Sequence, residues 1–110
     1  MEIKKSEKPS KMIKIEMVEG DKVLGRTSLF LIFNDLHPEP YGLMEDVFVD
    51  ESLRGQGIGS QLVKIVIEEA KKLGCRKLIA QSRHSKVEVH RLYEKLGFKN
   101  HGLNFRMDLI

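Results

Sequence analysis

The chain has 110 residues, 41% of them hydrophobic and 32% charged, enough for one core but not for separate cofactor and substrate domains. No apolar run approaches the roughly 20 residues needed to span a bilayer, and residues 1–11 are polar and Lys/Glu-rich, unlike a signal peptide, which predicts a cytoplasmic protein. One cysteine, Cys75, excludes an internal disulfide and a Cys-cluster zinc site, and a net charge of +3 without aromatic-interleaved basic runs suits a small polyanion better than nucleic acid.

Residues 1–10 lack periodicity and predict a flexible tail, with one domain over 11–110. Residues 12–18 alternate as a half-exposed strand. Glu19-Gly20-Asp21-Lys22 then supplies turn chemistry, and 23–33 resume as a second strand, so the two predict an antiparallel hairpin. Pro38 and Pro40 place 34–42 in a loop. Residues 43–49 read as a third strand in which Leu43, Glu45, Val47 and Val49 share one face, setting the Glu45 carboxylate in an apolar row. Beyond a glycine-rich turn, Ile58, Leu62, Ile65, Val66, Ala70 and Leu73 recur at helical spacing, with Gly74 as the stop. Residues 77–81 predict a fourth strand. Ser85-Lys86-Val87-Glu88 has the form of a capping box. It opens a second helix with Val89, Leu92, Tyr93 and Leu96 as apolar positions, ended by Gly97. Phe98 onward, and then 104–110, read as a short terminal hairpin. The fold class is α/β, with a mixed, mostly antiparallel central sheet and helices.

Arg54-Gly55-Gln56-Gly57-Ile58-Gly59-Ser60 lies between a strand and an amphipathic helix. The first turn of a helix carries unpaired N–H groups and the positive end of the macrodipole, and glycines admit an anion close to the backbone. Such a turn can cradle a pyrophosphate. The later acidic residue of a dinucleotide fold and the Lys-Ser/Thr pair of a P-loop are both missing. No metal-ligand spacing connects His37, His84 and His101, and no metal is expected.

Asp46-Val47-Phe48-Val49-Asp50-Glu51-Ser52-Leu53-Arg54-Gly55-Gln56-Gly57-Ile58-Gly59 resembles the signature of the GNAT superfamily of N-acetyltransferases, whose turn reads Arg/Gln-x-x-Gly-x-Gly/Ala. His90-Arg91-Leu92-Tyr93-Glu94-Lys95-Leu96-Gly97-Phe98 resembles its second motif, in the expected order. Glu45-Asp46-Val47 and Leu73-Gly74-Cys75 resemble, more weakly, glucosamine-phosphate acetyltransferases. The resemblance implies acetyl-coenzyme A as cosubstrate and direct attack of a primary amine, from a small molecule or a peptide or protein, on the thioester. The alternative is a non-catalytic acyl-coenzyme A-binding or regulatory module.

By the same resemblance, backbone groups at Val47, Phe48 and Val49 polarise the acetyl carbonyl. Arg54, Gly55, Gln56, Gly57, Ile58, Gly59 and Ser60 hold the pyrophosphate, and Tyr93 protonates the departing thiolate. Lys86 stands where many members carry an Asn and is expected to reach a phosphate. Glu45 is the candidate base, its pKa raised by burial beside Leu43 and Val47; the competing reading pairs it with a nearby Lys or Arg. Tyr93 also admits a packing role, and His90 reads as solvated. Superfamily members usually begin with a strand and a helix pair for which 1–10 leave no room, an N-terminally truncated form. The apolar strand faces so uncovered, with 104–110 as an edge strand, predict a homodimer.

Overall fold

Alternating apolar and polar residues build four strands into one sheet of order β1-β2-β3-β4. The computed structural model describes all 110 residues as two compact units, Met1–Ala80 and Gln81–Ile110. In the first, β1 (Lys11–Glu19) and β2 (Lys22–Ile32) form the expected antiparallel hairpin. Gly20 takes a φ of 59° at its tip, a conformation glycine adopts without steric cost. Next comes β3 (Tyr41–Val49), antiparallel to β2. The helix α1 (Ile58–Lys72) then crosses over to β4 (Leu78–Ala80), which lies parallel to β3. The mixed, mostly antiparallel sheet expected of the sequence is what the chain forms.

The core lies between α1 and one face of the sheet. Leu29, Leu31 and Met44 from the strands meet Leu62, Val63, Val66 and Ala70 from the helix, all buried. Each of these Leu, Val and Met side chains contributes on the order of 1.5–3 kcal/mol when withdrawn from water. At 100° per residue, positions 62, 63, 66 and 70 fall within one arc, whereas Ile65 lies outside it and is 42% exposed. Ile65 is therefore a surface residue and Val63 takes the inward place expected for it. At the helix end Gly74 has a φ of 78°. The Cys75 N–H donates to the Ala70 carbonyl at 3.0 Å and the Gly74 N–H to the Lys71 carbonyl at 3.1 Å, the double closure of a Schellman motif.

The face assignment for β3 is corrected by a bulge. Ser28 pairs with Glu45 and Arg26 with Phe48, so Thr27 alone stands against Asp46 and Val47. An extra residue reverses the alternation beyond it. Gly42 and Met44 point toward α1 before the bulge, and Val49, paired with Gly25, does so after it. Leu43 and Glu45 lie on the other face, which Val49 does not share.

The second unit contains α2 (Val87–Lys95). Its cap is not the expected box. The Lys86 N–H donates to the Arg83 carbonyl at 3.0 Å, a turn that delays helix entry by one residue. Lys86 becomes the N-cap, without a side-chain capping bond. At the other end Gly97 has a φ of 107°, and the Phe98 N–H reaches the Tyr93 carbonyl at 2.9 Å, again a Schellman closure. The terminal hairpin does not form: residues 98–110 contain no strand. Between Phe98 and Leu103 no apolar run exists to make its first arm. No helix of the chain is long and apolar enough to cross a membrane.

Candidate active site

The segment from Glu45 to Ser60 carries most of the expected site within the first unit. It begins at the bulge. Asp46 takes a φ of 57°, the left-handed region that Asp tolerates better than most residues. Two contacts hold it. The Arg26 Nε donates to Asp46 Oδ2 at 3.0 Å, while the same guanidinium lies 4.5 Å from the centre of the Phe48 ring, a cation–π distance. From inside, the Thr27 hydroxyl donates to the Glu45 carbonyl at 3.0 Å. Thr27 is 1% exposed and is the buried polar residue of the core.

Beyond Met44 the third strand loses its other neighbour too. The β3–β4 ladder pairs Gly42 with Leu78, Leu43 with Ile79 and Met44 with Ala80, and ends there. β3 continues to Val49, so Val47 and Val49 present backbone groups along an edge that β4 leaves open, whereas the amide expected of Phe48 faces β2, on the side where the Asp50 N–H donates to Leu24. This is a place where an extended ligand can take backbone hydrogen bonds.

From β3 the chain passes through a short 3₁₀ turn, Glu51–Leu53, into the glycine turn. Gly55 and Gly57 have φ of 85° and 83°, and a Cβ on either would meet no atom within 4 Å. These glycines are required by backbone conformation, not by crowding. Gly59 differs: its added Cβ would stand an ordinary 3.6 Å from Val49 Cγ2. The first bond of α1 runs from the Gln61 N–H to the Gly57 carbonyl at 3.1 Å. Hence the amides of Ile58, Gly59 and Ser60 precede the helical ladder. Gly57 is the N-cap, with no side-chain oxygen on those donors and no acid in the first turn. Arg54, Gly55, Gln56 and Gly57 are exposed and Ile58, Gly59 and Ser60 partly so. Asp50, at the end of β3, is already engaged: Ser52 Oγ donates to it and the Lys22 ammonium lies 3.5 Å away. The Ser52 hydrogen bond is the main reason its pKa lies below the usual Asp value.

Glu45 is exposed, so the burial expected to raise its pKa is not realised. The reason is the face it occupies: ahead of the bulge Glu45 lies with Leu43 on the side away from α1, with Ser28 directly across the ladder. It makes no ion pair, and the expected Lys or Arg partner goes instead to Asp46. Cys75 is partly buried, which pushes its thiol pKa up and leaves it a poor nucleophile.

In the second unit Tyr93 is partly buried, its ring 5.3 Å from that of Phe98. Burial pushes the phenol above its ordinary range, so it holds its proton at neutral pH. Lys86 is exposed at the start of α2. His90 is not simply solvated: Nε2 lies 2.8 Å from the Arg83 carbonyl, to which it donates, tying α2 to the preceding turn.

Sequence reasoning passed over Thr27 and Arg26. The signal for Thr27 was present: Gly25, Thr27, Leu29 and Leu31 alternate along one buried face, and one member carries a hydroxyl.

A bulged strand, a glycine turn and a helix with free N-terminal amides thus follow one another along the chain. The chain belongs to the acetyltransferase (GNAT) family, whose model matches residues 2–98. Over 68 residues it is 41% identical to the glucosamine 6-phosphate N-acetyltransferase of Trypanosoma brucei brucei, covering 62% of this chain and 44% of that protein. It is 30% identical to the aminoalkylphosphonate N-acetyltransferase of Salmonella typhimurium, covering 80% of this chain and 57% of that one. A Trypanosoma brucei acetyltransferase structure superposes with a TM-score of 0.79 at 31% identity, over 89% of this chain and 69% of the other. The chain thus spans about half the length of the curated relatives it matches.

Proposed function

We propose that the chain binds acetyl-coenzyme A along residues 45–60 and transfers its acetyl group to a primary amine. One observation carries this reading: the open backbone of β3 runs directly into unpaired helix amides. A thioester and a pyrophosphate could therefore be held by one continuous segment. The relatives named above are N-acetyltransferases of amines that bear a phosphate or a phosphonate.

In this reading the amine nitrogen attacks the acetyl carbon and the C–S bond breaks, its electron pair leaving on sulfur. The thiolate leaves protonated, and the resemblance of the second motif assigns that proton to the Tyr93 phenol. An amide of Val47 or Val49 stabilises charge on the carbonyl oxygen, and Glu45, open to water, accepts the amine proton through solvent. Arg54 and Gln56 offer polar groups for the phosphates.

The protein acts as a homodimer in this proposal. Leu103, Phe105, Met107 and Leu109 alternate and are 75–88% exposed. Arg106 Nε bonds Asp108 Oδ1 at 2.8 Å, a pairing two residues apart that fits extended backbone. Such a segment suits pairing with a second copy.

Calorimetric titration with coenzyme A, followed by thiol release from acetyl-coenzyme A across a panel of amines, tests the reading. Binding with amine-dependent release is expected. Binding without release leaves a coenzyme A-binding module, and no binding removes both.

A further inference from the structure

The bulge in β3 is a property of two strands, and its inner support comes from the strand that carries none of the expected site residues. Thr27 opposes the extra residue of β3, and its hydroxyl donates to the Glu45 carbonyl at 3.0 Å. That carbonyl immediately precedes the left-handed Asp46. A single residue on β2 cannot complete ladder bonds with two residues on β3, so one β3 peptide there is left without its ordinary partner. The Thr27 hydroxyl supplies one missing donor from within the core. At 1% exposure it cannot exchange that bond for water, and an unpaired hydroxyl or carbonyl there is disfavoured.

The competing arrangement is a regular ladder, with Asp46 in the extended region and Thr27 facing a single residue. That arrangement would turn Val47, Phe48 and Val49 by one position and exchange which amides face the open edge. Asp46 in its left-handed conformation is intrinsically disfavoured, so the bulge persists through its contacts. Arg26 grips the Asp46 carboxylate from the exposed side, where an ion pair is weak. The buried hydroxyl is the stronger of the two supports.

We infer that Thr27 is a positioning residue for acetyl transfer: through the Glu45 carbonyl it holds the β3 bulge in the register that turns the amides of Val47 and Val49 to the open edge, toward the acetyl carbonyl oxygen. The inference rests on the acetyl-transfer reading above. It deepens that reading by assigning a role to a residue that does not touch the reacting atoms.

The test is the infrared carbonyl stretch of acetyl-coenzyme A labelled with carbon-13 at the carbonyl, bound to the wild type, Thr27→Val and Thr27→Ser. Valine keeps the shape of threonine without its donor; serine keeps the donor. Should the valine variant fold poorly, Thr27→Cys provides a second variant with only a weak donor. Wild type and the serine variant are expected to shift the stretch to lower frequency, as a hydrogen-bonded carbonyl does. The valine or cysteine variant should lose most of that shift while keeping its affinity for coenzyme A. A residue that only stabilises the fold would lower the unfolding midpoint and leave the stretch unchanged, and that result overturns the inference alone. Wild-type protein that binds no acetyl-coenzyme A overturns the acetyl-transfer reading, and the inference with it.

Discussion

Gly25 on β2 lies directly beneath Leu62 on α1: a Cβ added at Gly25 would stand 2.7 Å from Leu62 Cδ1. The same atom would meet the Phe48 carbonyl at 3.0 Å and Ile58 Cγ2 at 3.2 Å. Leu62 is fully buried and cannot swing aside, and a backbone carbonyl has no rotamer to change. This approach lets the start of α1 settle onto the sheet beside β3. Gly25→Ala should therefore destabilise the protein by about 1–3 kcal/mol, the usual cost of overpacking. The shift in urea midpoint at constant slope measures it. An unchanged midpoint would mean that α1 can lift from the sheet without loss.

Replacing Gly57 with Glu puts a side chain and a negative charge at a helix N-terminus where φ is 83°. Coenzyme A affinity should fall more than about tenfold, or ~1.4 kcal/mol. Calorimetry on a variant of native circular dichroism decides it. Undiminished affinity removes this turn from the cofactor site.

Tyr93→Phe keeps the ring against Phe98 and deletes the proton. Turnover should drop by about 10²-fold or more, in the range of lost general acids, with coenzyme A affinity unchanged. The wild-type phenol is raised by burial. The folded protein therefore keeps this proton at a pH where the unfolded chain has lost it. The phenol's contribution to stability is complete below about pH 10, its unfolded pKa. It is lost as pH rises through the folded pKa. Between neutrality and strongly alkaline solution the wild type should lose more stability than Tyr93→Phe, as paired denaturation curves would show.

Ser52→Ala removes the hydrogen bond that chiefly lowers the Asp50 pKa. The Asp50 carboxyl should then titrate closer to the ordinary Asp value, as carbon-detected NMR can follow. In the wild type, the stability due to this contact is present above the unfolded Asp pKa and lost as pH falls through the depressed folded value. Acid unfolding of Ser52→Ala should be correspondingly less dependent on this group.

Light scattering should give a mass near twice the 12.7 kDa of one chain. Phe105→Glu, in a fully exposed segment, should reduce it toward a single chain. A monomer at micromolar concentration removes the dimer.

Much of this protein is written in local spacing. The strand and helix periods, the stops at Gly74 and Gly97, and the strand-turn-helix order around Gly55 and Gly57 depend on residues within a few positions of one another. Each follows from side-chain alternation or from the conformational freedom of glycine. Even the two motifs that place the chain in its family are contiguous stretches. Pairing decided the rest. The strict alternation of Leu43, Glu45, Val47 and Val49 is broken by one unpaired residue, visible only when Thr27 of β2 is laid against β3. The bulge sends Val49 toward the helix, while Glu45, ahead of it, stays with Leu43 on the face away from α1. Ser85 loses the cap because an upstream turn, closed by Lys86 on Arg83, changes where α2 begins. The alternation in residues 103–109 marks a strand by pattern, but a strand exists only with a neighbour to share its hydrogen bonds. Period is a property of one segment, whereas register is a property of two, so tertiary structure alone could settle the bulge on which the candidate site depends.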